Sequence, residues 1–268
     1  MSTEQNMAQL NAQFVDLLIA RWERVLDLRT HLAYRRADAE DQGEVAAWEG
    51  EIGRILGAMD ACRAEAKKMK QPLPFDMLVE SYKLSEVEAE ILELALVPQM
   101  ELSFRQRIAR FNNNILYDFV DVDLALSLLF PTRMERLQAR AIFAAHAPLI
   151  SHGLLRLENP KEAKGSGVLG QELRPPERLS DFVLGRRALD ASLRSIAEMS
   201  DPSVSLEDVA IPQEDHDDLA SFLNFFEKSQ GGARVGVGGP FPEGGGMAIS
   251  FVGSPGTGKS MLRGRWED

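Results

Sequence analysis

The sequence predicts a mainly α fold. An N-terminal helical hairpin comes first, then a compact helical module closed by two short strands. A linker follows, and after it the opening strand and phosphate-binding loop of an α/β domain. Three observations carry this prediction. Apolar residues recur at three- and four-residue steps through residues 7–70 with no interrupting proline. Caps and prolines then divide residues 75–160 into short helical segments. Near residue 250, a short apolar run leads directly into a glycine-rich loop ending in Lys259-Ser260.

In the first segment, Phe14, Leu18, Val25, Leu28 and Leu32 share a helical face. Val45, Trp48, Ile52, Ile55, Met59 and Cys62 follow a strict 3-4 alternation, the spacing of an a/d seam. Asp41-Gln42-Gly43 is the expected turn between the two helices, with Gly43 as a left-handed cap. Residues 1–70 therefore read as an antiparallel hairpin. Its seam packs on its own chain or is offered to a partner.

Pro72 and Pro74 close that segment. Phe75, Leu78, Val79 and Tyr82 then share one face. Ser85 and Glu88 form a capping box with Leu84 as hydrophobic staple. The helix behind them buries Ile91, Leu94 and Ala95 and is expected to run from Ala89 to Leu96, ended by Pro98. Residues 103–118 read as a further helix through Phe104, Ile108, Phe111 and Ile115. Asp123 is placed to cap the next, over residues 124–129. Pro131 starts another through Met134, Leu137 and Ile142. Pro148-Leu149-Ile150 and Leu154-Leu155-Arg156-Leu157 flank a His152-Gly153 turn and read as a β-hairpin. Helices followed by a two-stranded hairpin are the plan of a winged helix, here over residues 71–160. This stretch holds eight Lys/Arg against twelve Asp/Glu. Phosphate neutralisation supplies most non-specific nucleic-acid affinity, so that balance speaks against nucleic acid. Arg105, Arg107 and Arg110 read as a solvated helix face.

Residues 161–200 read as a linker, with Gly165, Ser166, Gly167 and Gly170, and a short helix over residues 188–199. Residues 201–218 are acidic, anchored by Leu206, Val209 and Ile211. Leu219, Phe222, Leu223 and Phe226 make one more amphipathic face, and residues 231–246 are glycine-rich. Residues 247–252 have strand character and run into Gly253-Ser254-Pro255-Gly256-Thr257-Gly258-Lys259-Ser260, the pattern G-x-x-x-x-G-K-[ST]. In such a loop, glycines let successive N–H groups face phosphate oxygens. The N-terminus of the helix that follows favours an anion. Lys259 reaches the β- and γ-phosphates of a nucleotide, and the Ser260 hydroxyl is a Mg²⁺ ligand.

Whole-chain composition narrows the classes further. The net charge is −11, from 41 acidic and 30 basic residues, which removes bulk charge as an argument for nucleic acid or anionic membrane. Cys62 stands alone, so neither an intrachain disulfide nor a cysteine zinc site is available. No apolar run approaches the ~18 residues of a membrane span. The first residues lack the basic start and apolar stretch of a signal peptide. A soluble, cytoplasmic protein is expected.

The chain resembles the N-terminal half of a bacterial AAA-plus ATPase with a winged-helix domain ahead of its motor, of the type often encoded beside contractile injection systems. The resemblance rests on residues 84–98, 131–140 and 147–155, on Leu206-Glu207-Asp208-Val209-Ala210-Ile211-Pro212, and on residues 253–260. It implies an ATP-driven, usually hexameric remodelling ring that uses ATP and Mg²⁺. Gly253, Gly258, Lys259 and Ser260 carry over as nucleotide residues. Residues 201–268 would be the opening fragment of the motor. Gly264 interrupts the helix expected after Ser260, and no second strand follows. The parent is thus expected to hydrolyse ATP, and this chain alone is not. The alternative is a non-enzymatic module whose hairpin or winged helix recruits a protein partner while the P-loop is vestigial.

Overall fold

Unbroken three- and four-residue spacing at the N-terminus produces two long helices, α1 (Thr3–Tyr34) and α2 (Asp41–Lys68). They belong to a computed structural model that describes residues 3–34, 41–160 and 167–186, all within a unit spanning Met1–Ala188. The helices expected at residues 188–199 and 219–226, the acidic and glycine-rich stretches, and the strand at 247–252 lie outside the described residues.

The two helices run antiparallel. The His31 ring meets Trp48 edge-on at 4.9 Å, Arg24 pairs with Glu51 at 3.0 Å, and the Arg63 guanidinium lies over the Phe14 ring at 5.1 Å. Asp41-Gln42-Gly43 is not the turn but the first turn of α2. Gly43 is helical there, since glycine lowers helix propensity by only about 1 kcal/mol and does not forbid the conformation. The α2 seam packs on its own chain. Val45, Trp48, Ile52 and Ile55 are half-buried, while Met59 and Cys62 are buried. Burial pushes the Cys62 thiol up, against the nearby Arg63. On the outer face, Gly50, Gly53 and Gly57 are exposed, with nothing within 4 Å of where a Cβ would stand. In α1 the buried stripe is Phe14, Leu18, Trp22 and Leu26 at four-residue steps. Val25 is only partly buried and Leu32 is exposed.

Pro74 opens α3 (Pro74–Ser81), which buries Phe75 and Leu78. Ser85 then caps α4 (Glu86–Met100) through the expected box. Its side chain accepts from the Glu88 N–H, and Glu88 accepts from the Ser85 N–H at 2.9 Å. Ile91 to Val97 are all buried, so α4 is a core helix with no solvent face along that stretch. It contacts α1, α5, α6 and α9. Pro98 lies inside α4 and does not end it. A proline in the last turn forfeits one backbone bond, and the packing around it holds the remaining residues helical.

Glu101 closes α4 and opens α5 (Leu102–Phe111), its carboxylate accepting from the Ser103 N–H at 2.9 Å. The helix expected to reach residue 118 stops at Asn112. Asn113 has a left-handed φ of 48°, and Ile115 stands outside, 84% exposed. The Asn112 side chain donates to the Tyr117 carbonyl, and Asn114 accepts from the Leu116 N–H. These local bonds compete with the helix. Asp121, not Asp123, caps α6 (Val122–Leu129), accepting from Leu124 N–H at 2.7 Å. Thr132, not Pro131, sets the start of α7 (Arg133–Ala139), in a second capping box with Glu135. Met134 and Leu137 point outward, and Phe143 in the following 3₁₀ turn is buried instead.

The expected first strand of the hairpin is a single helical turn, α8 (Pro148–Ser151), with Pro148 at its start where a fixed φ suits a helix. Gly153, at φ 66°, reverses the chain, and Leu155 N–H donates to the Leu149 carbonyl at 2.8 Å. β1 (Arg156–Glu158) pairs antiparallel not with that turn but with β2 (Glu172–Arg174), in the stretch expected to be linker. The register sets Leu157 opposite Leu173. On the other edge of β2, Leu173 N–H donates to the Val120 carbonyl at 2.8 Å, and Asp121 bridges to Glu172. Last comes α9 (Glu177–Val183), tied to the first helix by Asn11 Nδ2 donating to the Val183 carbonyl at 3.0 Å. No helix among the described residues is long and apolar enough to cross a membrane.

Candidate functional site

The expected nucleotide loop, Gly253 to Ser260, lies outside the described residues. Within the described unit, the features able to meet a ligand are the helix pair α6–α7, the small sheet beside it, and the arginines of α5 and α7.

α6 and α7 are joined by Phe130, Pro131 and Thr132, giving a helix-turn-helix. α6 is the inner member, with Val122, Leu124, Ala125, Leu126 and Leu128 buried. α7 is the outer one, with Ala139 as its only buried residue. Asp121 at the head of α6 is held by the sheet and the helix together. Burial pushes its carboxyl up to about 6, against the Leu124 N–H that favours the charged form. Burial also raises Glu172 next to it, with Arg174 opposing.

The arginines divide into two groups. On α5, Arg107 reaches across to α1, contacting Glu23 at 3.2 Å and Asp27 at 2.6 Å, and Arg105 pairs with Asp118 at 2.8 Å. The face expected to be solvated is thus largely spoken for by the chain itself, with Arg110 remaining exposed. On α7, Arg133 and Arg136, with Arg140 just beyond, have no carboxylate partner among the described residues. No feature of residues 131–140 in isolation distinguished these arginines from those of α5. The distinguishing signal is the acids that meet the α5 arginines, Glu23 and Asp27 of α1 for Arg107 and Asp118 for Arg105, and only tertiary contact reveals them.

A third charge cluster is structural. Glu93 on α4 is buried against α1. Arg21 Nη1 donates to it at 2.8 Å, Trp22 Nε1 donates at 3.3 Å, and Arg63 of α2 lies at 3.9 Å. Arg21 also pairs with Glu90, and Arg63 with Asp76 at 3.1 Å. Burial raises the Glu93 carboxyl, and Arg21 and Arg63 act against it. The cluster joins α1, α2, α3 and α4. A shallow groove beside the sheet, lined by Gln99, Arg105, Asp118, Glu172 and Arg174 among others, is filled with mutually paired charges. Among the described residues no group of His, Cys, Asp and Glu is arranged to hold a metal.

Helices α4 and α5, extended residues 119–121, the α6–α7 helix-turn-helix, the turn of α8 and the β1–β2 pair follow one another as in a winged helix, with β1 and β2 as the wing. The family model for the winged helix domain, variant, matches residues 3–197. The chain belongs to that family. The match begins at the first residue of α1, so it takes in the helical hairpin together with the helices that follow. No curated protein and no solved structure matched the chain.

Proposed function

We propose that this chain is the recruiting end of an ATP-dependent remodelling protein. Its winged-helix unit takes up a protein partner, and residues 253–260 take a Mg²⁺-nucleotide through Lys259 and Ser260. The observation that supports the recruiting role is the pairing of charge. In a unit whose residues 71–160 carry an acidic surplus, Arg107 of α5 is turned inward onto α1 carboxylates and Arg105 pairs with Asp118. Those two arginines are thereby withdrawn from a polyanion. Support for the nucleotide role is the loop pattern behind an apolar run. The ring assembly and ATP hydrolysis of the AAA-plus proteins that the sequence resembles belong to the same proposal.

Equilibrium binding of fluorescent Mg²⁺-ATP to the full chain, beside Lys259→Ala, tests the nucleotide role. Saturable binding lost in the variant supports it. Equal binding, or none, removes it and leaves the non-enzymatic interaction module. Titration with duplex DNA tests the recruiting role. Micromolar binding that falls steeply with salt would replace the protein partner by nucleic acid.

A further inference from the structure

α7 is a short helix that the fold presents rather than buries. Seven residues do not hold a helix by themselves in water. The Thr132–Glu135 capping box and the single anchor Ala139 keep it in place. Its outward residues combine two features on one short helix. Met134 and Leu137 are one turn apart and 64% and 50% exposed. On the helical projection, Arg133 and Arg140 lie beside Leu137 and Arg136 extends the same edge, so three cations border the apolar pair. Elsewhere in the described unit Arg21, Arg24, Arg63, Arg105, Arg107 and Arg174 each contact a carboxylate of this chain, whereas Arg29 and Arg54 bond backbone carbonyls and Arg110 stands exposed. The three at α7 contact none among the described residues. Glu135, the acid nearest in sequence, is committed to the cap, where Thr132 N–H holds its carboxyl below its ordinary range.

We propose that α7, with Arg140, docks an acidic protein segment bearing apolar side chains at helical spacing. This rests on the recruiting role given above and names its surface and the chemistry of its partner. Charge complementarity selects the occupant. Three unpaired guanidiniums call for carboxylates, in which the planar fork of arginine finds bidentate partners. Met134 and Leu137 call for apolar anchors that a phosphate backbone does not supply. An amphipathic partner helix meets both demands along one edge.

The test is fluorescence anisotropy on the full chain with a short fluorescein-labelled peptide of glutamates and leucines at helical spacing. A glutamate-only peptide and a duplex DNA serve as comparisons. The expected result is that the leucine-bearing peptide binds best. Arg133→Ala/Arg136→Ala/Arg140→Ala should then weaken it by about tenfold or more. Met134→Ala/Leu137→Ala should erase the advantage over the glutamate-only peptide. Arg133, Met134, Leu137 and Arg140 are exposed and Arg136 is half-buried, and circular dichroism checks that the variants fold. Peptide binding that is indifferent to both variants overturns the placement on α7 and leaves the recruiting role standing. No peptide binding at low salt overturns the acidic partner. Binding of the duplex in preference to both peptides overturns this proposal and the recruiting role together.

Discussion

Helices α4 and α7 begin with the same device and end in opposite situations. Each is opened by a hydroxyl residue that accepts from the backbone three residues on, with a glutamate reaching back: Ser85 with Glu88, Thr132 with Glu135. α4 then enters the core and buries seven consecutive residues. α7 stays outside and buries only Ala139. A capping box therefore marks where a helix starts and carries no information about where it lies. Packing holds α4 and the cap is a minor supplement. For α7 the cap is most of what there is.

The largest expected effect lies on the packed side. Leu94→Ala removes a fully buried side chain from α4 and should cost about 2–5 kcal/mol in a denaturant melt. A loss under about 1 kcal/mol would show that the core around α4 collapses into the space. Next comes Asp121, at the head of α6. Its carboxyl sits near 6 in the folded chain against an ordinary 3.8, so the folded form binds its proton more tightly. The stability this group contributes is complete below about pH 4 and is lost as pH rises through 6, by about 1–3 kcal/mol. Asp121→Asn keeps a good cap and should flatten stability between pH 4 and 7 relative to the parent. An unchanged slope would assign it to other groups such as Glu172.

The two caps should then separate. Ser85→Ala is expected to lower global stability by about 0.5–2 kcal/mol. Thr132→Ala should barely move the global midpoint, yet it should release the amides of α7 to fast hydrogen exchange. Equal global losses would mean that α7 is coupled to the core more tightly than Ala139 allows. The smallest effect is at Leu137→Ala, within about 0.5 kcal/mol of the parent, since an exposed side chain leaves no cavity.

Much of this arrangement was legible in the residues. Both hairpin helices, the Ser85 box and the buried Ile91 and Leu94 follow from spacing and cap chemistry. What failed did so for local reasons. The apolar spacing through Ile115 continues past the point where three asparagines offer the backbone competing hydrogen bonds. Asp121 and Asp123 are both able to cap, and only the contact of Val122 with the core decides between them. β2 is three residues long, too short for its polar-apolar-polar pattern to stand out as a strand. It becomes a strand because β1 and residues 119–121 lie on its two edges. Met134 and Leu137 have the spacing of a buried helical face, yet in α7 that face is the exposed one. The nucleotide loop was the clearest motif in the sequence, and it lies outside the described residues.

One bond described above bears on how the molecule is made. Asn11 on the first helix donates to the Val183 carbonyl, across a sequence separation of 172. Arg21 and Trp22 wait similarly for Glu93, and Glu23 and Asp27 for Arg107. During synthesis α1 leaves the ribosome long before these partners exist. Contacts of such separation form late, because their loops must close first. In the interval its stripe of Phe14, Leu18, Trp22 and Leu26 is an adhesive surface on a nascent chain. α2 is the only large apolar neighbour that arrives early, and it covers one side of α1 by contacts local enough to form at once. The hairpin thus acts first as a sheath for the nascent chain. It becomes the wall of a finished domain only when α4, α5 and finally α9 have emerged.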